Sequence, residues 1–495
     1  MRKVMLNVND VKGKLDRYFS QCIGAGRAGE VMRYVPAKQL EKIQQECPFR
    51  YMRFHGLFHE EMDVVSRKKD GTLKFHFQYV DHLFDLMLEN NIRPVAELGL
   101  MPEILAKERE YVFWWRLNKS APKDLREWSQ LIEAFVRHVT DRYGEEEIKK
   151  WYFEIWNEPN IEPFFTEYEN IDSYFAMYDA AAAAIKNVNP EYKVGGPATA
   201  GCRWIEETIA HCQENNVPLD FISSHGYGVK TVKDAFDEDG RTKLTMLPID
   251  ELSDCMRRWG NVCHDAGLPF IVTEWSSSYS SRDPVHDSYF NAAYILHTIK
   301  RVEGFADMFS YWVYTDIFEE VSPPRKMFHG GFGLLTTQSV PKPSYYAFEF
   351  LSRLGDTELA CTDENVYACK KDEAVQLLAW NIVQPPIETS NQDFFARSVP
   401  AKQLEDAEIT VAAMKPGKTY RIDCETIGYR KGDVYQAYLD GGYGENPNRE
   451  EIAVLMEKAK PEKSCLEATA DENGVLRFVI PQTENQVDFL TIKFV

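Results

Sequence analysis

The chain has 495 residues, 44% of them hydrophobic and 27% charged, enough for a large globular domain and a second one. Acidic residues outnumber basic ones 77 to 57, a formal net charge of -20. Such a field repels phosphate backbones and anionic membranes, which argues against nucleic-acid and membrane partners. The ten cysteines include no C-x-x-C pair and no zinc-type spacing, and no apolar run reaches signal-peptide or membrane-spanning length. The expectation is reduced thiols, a cytoplasmic location and no bound metal. The aromatic share of 13% leans toward carbohydrate, because ring faces stack on the C–H-rich faces of sugars.

Residues 1–15 begin strand-like and are expected to join a β-sandwich formed further on. From 16 to 354 short apolar runs alternate with helical patterns. Buried strands are predicted at 18–25, 50–56, 92–99, 151–157, 193–197, 220–225, 269–275 and 306–315. Helical periodicity spans 36–46, 77–90, 124–143, 172–188, 203–215, 249–266 and 288–301, with a last helix at 344–353. Eight strand–helix units fit a (β/α)₈ TIM barrel with insertions, an α/β fold. An open doubly wound sheet is the competitor, but residues 23–29, I-G-A-G-R-A-G, only loosely imitate its glycine fingerprint. Residues 355–495 carry strand-like segments between polar turns and predict an accessory C-terminal β-sandwich domain. The heptapeptide V-P-A-K-Q-L-E occurs at 35–41 and again at 399–405, with unmatched flanks, and reads as coincidence.

Two carboxyls stand where barrel chemistry is built. Glu158 follows the fourth strand in E-I-W-N-E-P-N, and Glu274 ends the seventh in I-V-T-E-W-S. Strand C-termini form the active rim of a barrel, and strands four and seven lie on opposite sides of it. Two opposed carboxyls are what glycoside hydrolysis needs, one to protonate the leaving oxygen and one to attack the anomeric carbon or activate water. The bland readings are a surface-loop Glu158 and an ion-paired structural Glu274. The run 145–147 reads as a solvated charge cluster, and His286-Asp287 as a structural pair without a third partner.

The chain resembles the β-xylosidases of glycoside hydrolase family 39. The resemblance is carried by Y-M-R-F-H-G at 51–56, I-R-P-V-A-E-L-G-L-M-P at 92–102, F-E-I-W-N-E-P-N at 153–160, K-V-G-G-P-A at 193–198 and F-H-G-G-F-G at 328–333. It implies a retaining exo-glycosidase that releases β-D-xylose from xylooligosaccharides by double displacement, with Glu158 as acid/base and Glu274 as nucleophile. It further implies that Asn157 holds the sugar 2-hydroxyl, that Arg53 orients the nucleophile and that Tyr227 bonds it. His55 and His225 would line the pocket with Phe113 and Phe164, over a Trp312 platform. Glu319 and Glu320 would bind the hydroxyls of the non-reducing end. No cofactor is implied; the partner is a small glycoside, and the oligomeric state stays open, a homo-oligomer included. Ser224 stands where the resemblance leads one to expect arginine, and residues 229–247 are idiosyncratic, which puts the leaving-group preference in doubt. The rivals are another family 39 specificity, such as an α-L-iduronidase or another β-glycosidase, and a non-catalytic carbohydrate-binding protein.

Overall fold

In the computed structural model, which describes residues 1–236 and 241–494, eight parallel strands close into a barrel in sequential order. They are β1 (Cys22–Arg27), β2 (Tyr51–His55), β3 (Arg93–Leu98), β4 (Tyr152–Ile155), β5 (Lys193–Ala200), β6 (Phe221–Tyr227), β7 (Phe270–Ser276) and β8 (Met308–Tyr311). The helices outside are α1 (Tyr34–Glu46), α2 (Gln78–Glu89), α3 (Leu125–Tyr143) and α4 (Ile171–Val188), then α5 (Ile205–Asn215), α6 (Glu251–Asp265), α7 (Phe290–Val302) and α8 (Pro343–Arg353). Each element follows its sequence pattern. In α3 the buried residues Trp128, Leu131, Ile132, Phe135, Val136 and Val139 recur at helical spacing, Asp124 caps the start, and Gly144 at φ +86° ends it. In β7 every residue is buried; the apolar Phe270, Ile271 and Val272 are followed at the rim by Thr273 and Glu274. The first strand begins later than the apolar run suggests, because Tyr18–Ser20 forms a 3₁₀ turn whose tyrosine hydroxyl donates to the Ile299 carbonyl.

The second unit is one nine-stranded sheet that folds over its own core, an accessory β-sandwich. Its strand order is Glu462–Thr469, Thr419–Ile427, Val487–Phe494, Ala374–Trp380, Val366–Lys371, Thr357–Cys361, Arg2–Lys14, Ala407–Ala412, Leu476–Ile480. Alternation sets the faces: Leu476, Phe478 and Ile480 are buried while Arg477 and Val479 face out. The core, including Val4, Leu6, Leu377, Ile409, Val411, Ile422 and Leu490, is separate from that of the barrel. Pairing is antiparallel except that Arg2–Lys14 runs parallel to Ala407–Ala412.

Two insertions shape the rim. The strands Val229–Phe236 and Thr242–Met246 pair as a hairpin; its turn, 237–240, lies outside the described residues. The short helix Asn391–Phe395 reaches back from the sheet to the barrel, where Asn391 Nδ2 donates to Asp283 (2.8 Å) and Lys243 Nζ meets Asp393 (3.0 Å).

Candidate active site

Glu158 sits three residues beyond β4, on backbone bent away from the strand. Trp156 and Glu158 both have positive φ, +73° and +44°. A non-glycine residue held there costs about 1–3 kcal/mol and persists only where its surroundings over-determine it. Here the Trp156 amide donates to the Leu98 carbonyl (3.2 Å), its indole N–H to the Phe164 carbonyl (3.0 Å), and the Glu158 amide to the Ala198 carbonyl (2.9 Å). The bend turns the Glu158 carboxyl inward across the barrel mouth.

Opposite it, Glu274 accepts from Arg53 Nη1 and from the Tyr227 hydroxyl. Arg53 is fully buried and spends its fork on the site: Nε donates to Glu154 (2.9 Å), and Nη2 reaches Asn157 Oδ1 (2.7 Å) and Glu97 (2.9 Å). Because Asn157 presents its oxygen to Arg53, its amide NH₂ is left without a hydrogen bond among the described residues. That donor is free for a hydroxyl. His55 places Nδ1 2.7 Å from Glu97 and Nε2 3.7 Å from Glu274.

The histidine on the other side fixes where the proton lies. Thr273 has one hydrogen, and it donates to Glu154 Oε1 (2.7 Å), whose other oxygen takes Arg53. The Thr273 oxygen therefore accepts from His225 Nε2 (3.2 Å). Burial, with Arg53 and His55 nearby, pushes His225 well below its ordinary range, so the ring is neutral and Nδ1 is a bare acceptor. Glu158 Oε1 lies 2.9 Å from it and must donate. The charges agree. Burial raises both carboxyls, but Arg53, His55 and the Tyr227 hydroxyl oppose the rise on Glu274, whereas the negative charge of Glu274 adds to it on Glu158. The shared proton resides on Glu158.

One ligand atom each from Glu158, His225 and Glu274 lies within 4.8 Å of the others, close enough to cage a cation. The Arg53 guanidinium already occupies that role at Glu274, and a metal ion beside it would meet like charge.

Aromatic groups wall the pocket. Phe113 meets Phe164 edge-on (5.4 Å between centroids), stacks on Trp115 (5.4 Å) and tilts against His55 (5.7 Å). Trp312 is buried as a floor, edge-on to His55 (4.9 Å) with Arg53 over its ring (5.4 Å). Glu320 lies near the carboxyl pair: burial and the charge of Glu274 push it well up. Glu319 departs from the expectation of a sugar contact. Its carboxylate is taken up by Arg33 (2.6 Å) and Arg27 (3.0 Å), which leaves it to fix the loop. The Glu320 carbonyl accepts from the Trp114 amide (2.6 Å), joining the loops after β8 and β3 into one wall.

The profile of glycosyl hydrolases family 39 matches residues 2–475. The chain belongs to that family. Two β-xylosidases are similar along nearly the whole length: that of Caldicellulosiruptor saccharolyticus at 35% identity over 99% of this chain and 98% of the relative, and that of Geobacillus stearothermophilus at 32% over 99% and 95%. A solved structure described as a monomeric β-xylosidase, from Caulobacter crescentus CB15, superposes with a TM-score of 0.93 at 36% identity, covering 100% of this chain and 99% of that one. The family 39 chain is thus a glycosidase.

Several residues of this family 39 site escape a reading that looks only at strand ends. Glu97 and Glu154 lie within β3 and β4, and Thr273 precedes the strand-end glutamate. Their signal is a lone acid or hydroxyl inside an apolar run, which is costly unless partnered. Ser224 is buried on β6, its hydroxyl donating to the Thr199 carbonyl (2.7 Å). His286 lies with Nδ1 3.0 Å from the Gly330 carbonyl and Nε2 3.1 Å from the Ser278 carbonyl, its single N–H donating to one of them, and Asp287 pairs with Lys342 (2.6 Å), both as structural groups. Glu147 is less solvated than its run suggests, since Arg93 Nε holds it at 2.6 Å.

Proposed function

We propose that the enzyme is a retaining exo-β-xylosidase in which Glu158 is the acid/base and Glu274 the nucleophile. The observation that carries this is the pair itself, with an oxygen of one carboxyl within 4.8 Å of an oxygen of the other. Retaining pairs are separated by about 5–5.5 Å, whereas inverting pairs leave about 6.5–9.5 Å for a water. The xyloside preference is supported by the two full-length relatives named as β-xylosidases.

In the first step a Glu274 oxygen bonds to the anomeric carbon as the glycosidic C–O bond breaks, and the Glu158 proton passes to the departing oxygen. Glu158, now an anion, next takes a proton from water. The water oxygen bonds to the anomeric carbon on the face the leaving group vacated, the bond to Glu274 breaks, and β-xylose leaves with Glu158 reprotonated. Asn157 and Glu320 are assigned to sugar hydroxyls, and the wall joining Trp114 to Glu320 supports cleavage from a chain end. A uronide pocket would need a cation for the sugar carboxylate. The nearby cations, Arg27 and Arg33, are instead engaged by Glu30, Glu61 and Glu319.

The test is a panel of aryl β-xyloside, β-glucoside, β-galactoside, α-L-arabinoside and α-L-iduronide, with proton NMR of the first product. The reading expects the xyloside to lead and β-xylose to appear first. A faster iduronide, or α-xylose appearing first, would overturn it.

A further inference from the structure

A chain of hydrogen bonds joins the two carboxyls through the inside of the barrel. From Glu158 it runs to Nδ1 of His225 (2.9 Å), from Nε2 to the Thr273 hydroxyl (3.2 Å), and from that hydroxyl to Glu154 Oε1 (2.7 Å). The other Glu154 oxygen accepts from Arg53 Nε (2.9 Å), and Arg53 Nη1 reaches Glu274. Arg53, Glu154, His225 and Thr273 are all fully buried, so each finds its partner in the next and the direction of one bond sets the direction of its neighbour.

That direction begins at Arg53. A guanidinium only donates and a carboxylate only accepts, so Glu154 draws one hydrogen from Arg53 and one from Thr273. The threonine has no second hydrogen for His225. A strand makes no demand for a hydroxyl at this position, between Val272 and Glu274, where valine would offer the same branched shape.

We propose that Thr273 is a positioning residue for the acid/base: by giving its one hydrogen to Glu154 it holds His225 in the Nε2–H form, and so keeps Nδ1 as the acceptor for the proton of Glu158. The proposal rests on the reading of Glu158 as acid/base, and it extends the effect to both steps. Before the leaving group departs, Nδ1 holds the proton in place. Once that proton has gone, the Nδ1 lone pair lies against a carboxylate, and their repulsion favours taking a proton from water. Beyond Glu154, the charged and titratable groups around Glu158 and His225 are Arg53 and His55 on β2, Glu97 on β3, Tyr227 on β6, Glu274 on β7 and Glu320 after β8. Substitution at Thr273 removes none of them.

The test reads the ring by nitrogen-15 NMR, with the His225 signals assigned by their loss in His225→Phe. It follows the Glu158 carboxyl by carbon-13 titration, assigned with Glu158→Gln. Wild type and Thr273→Ser should carry the ring hydrogen on Nε2. In Thr273→Val that hydrogen loses its acceptor and should move to Nδ1. The Glu158 titration should then fall by about one unit, and the basic limb of kcat/KM with it. If the valine variant does not fold, Glu154→Gln gives the tautomer readout. Its carbonyl stays with Arg53 and its NH₂ meets Thr273, so the threonine hydrogen turns to Nε2 and the ring hydrogen again moves to Nδ1. An Nδ1–H ring in the wild type, an unchanged tautomer in both variants, or a moved hydrogen with an unmoved Glu158 titration would overturn the proposal. Neither NMR reading needs turnover, so refusal of the aryl β-xyloside would overturn the activity alone.

Discussion

Nδ1 of His225 lies 2.9 Å from Oε1 of Glu158, while Nε2 of the same ring is spent on Thr273. A neutral ring so fixed can only accept from Glu158, so it stabilises the protonated acid and raises its pKa. Replacing His225 by Phe keeps the ring volume and removes the acceptor. The basic limb of the pH profile of kcat/KM should then move to lower pH by about one unit, the worth of one hydrogen bond. An unmoved limb would show that the ring does not hold this proton.

The raised carboxyl of Glu158 has a cost in stability that depends on pH. A group whose pKa is higher folded than unfolded contributes stability fully below its unfolded value and loses it as pH rises through the folded value. Burial and Glu274 push Glu158 up. Glu158→Gln keeps a donor for His225 and removes the ionisation, so it should raise the melting temperature by about 1–3 °C at pH 8 and by less at pH 5. Scanning calorimetry at the two values checks the sign. A variant less stable at pH 8 than at pH 5, relative to wild type, would refute the argument.

The two carboxyls should fail differently. Glu274→Ala is expected to lose about 10⁴-fold or more on every substrate, since no covalent intermediate forms. Glu158→Ala should slow poor leaving groups by about 10²–10⁴-fold and activated aryl xylosides far less. Azide should restore its turnover and yield β-xylosyl azide. Uniform slowing without azide rescue would remove Glu158 from the acid/base role.

Gly24 makes room for the pocket floor: a Cβ there would collide with the Trp312 ring. Gly24→Ala should therefore cost about 1–3 kcal/mol of stability and reduce kcat/KM about tenfold or more, because the displaced ring carries Arg53 and His55 with it. Thermal melts and kinetics on one preparation test both parts. Unchanged kinetics would mean that the floor yields freely.

Much of this architecture is legible in the chain because its local signals agree. The eight strands and helices follow apolar periodicity that tertiary packing then uses, and Glu158 and Glu274 stand out as acids at strand ends. The glycines of residues 23–29, which look like a weak nucleotide loop, have another origin. Gly24 and Gly29 clear space for Trp312 and Glu61, contacts that arise only once distant segments meet, while Gly26 clears space for Glu30 in its own turn. The capture of Glu319 is equally invisible, since it depends on Arg27 arriving from the end of β1 and on Arg33 from the N-cap of α1. The repeated heptapeptide makes the same point: at 35–41 it is helical, and at 399–405 it is irregular with one bridge at Gln403. Identical residues take the form their neighbours impose.

The strand Arg2–Lys14 is an interior member of the accessory sheet, between Thr357–Cys361 and Ala407–Ala412. Without it the sheet divides into a six-stranded and a two-stranded piece, each with a bare edge. This strand must therefore wait, unpaired, until more than 340 further residues have been made. The barrel spans that interval, so its two ends are fastened to the same sheet like a loop closed by a clasp. Removing the N-terminal strand would therefore open the middle of the accessory sheet rather than trim one of its edges.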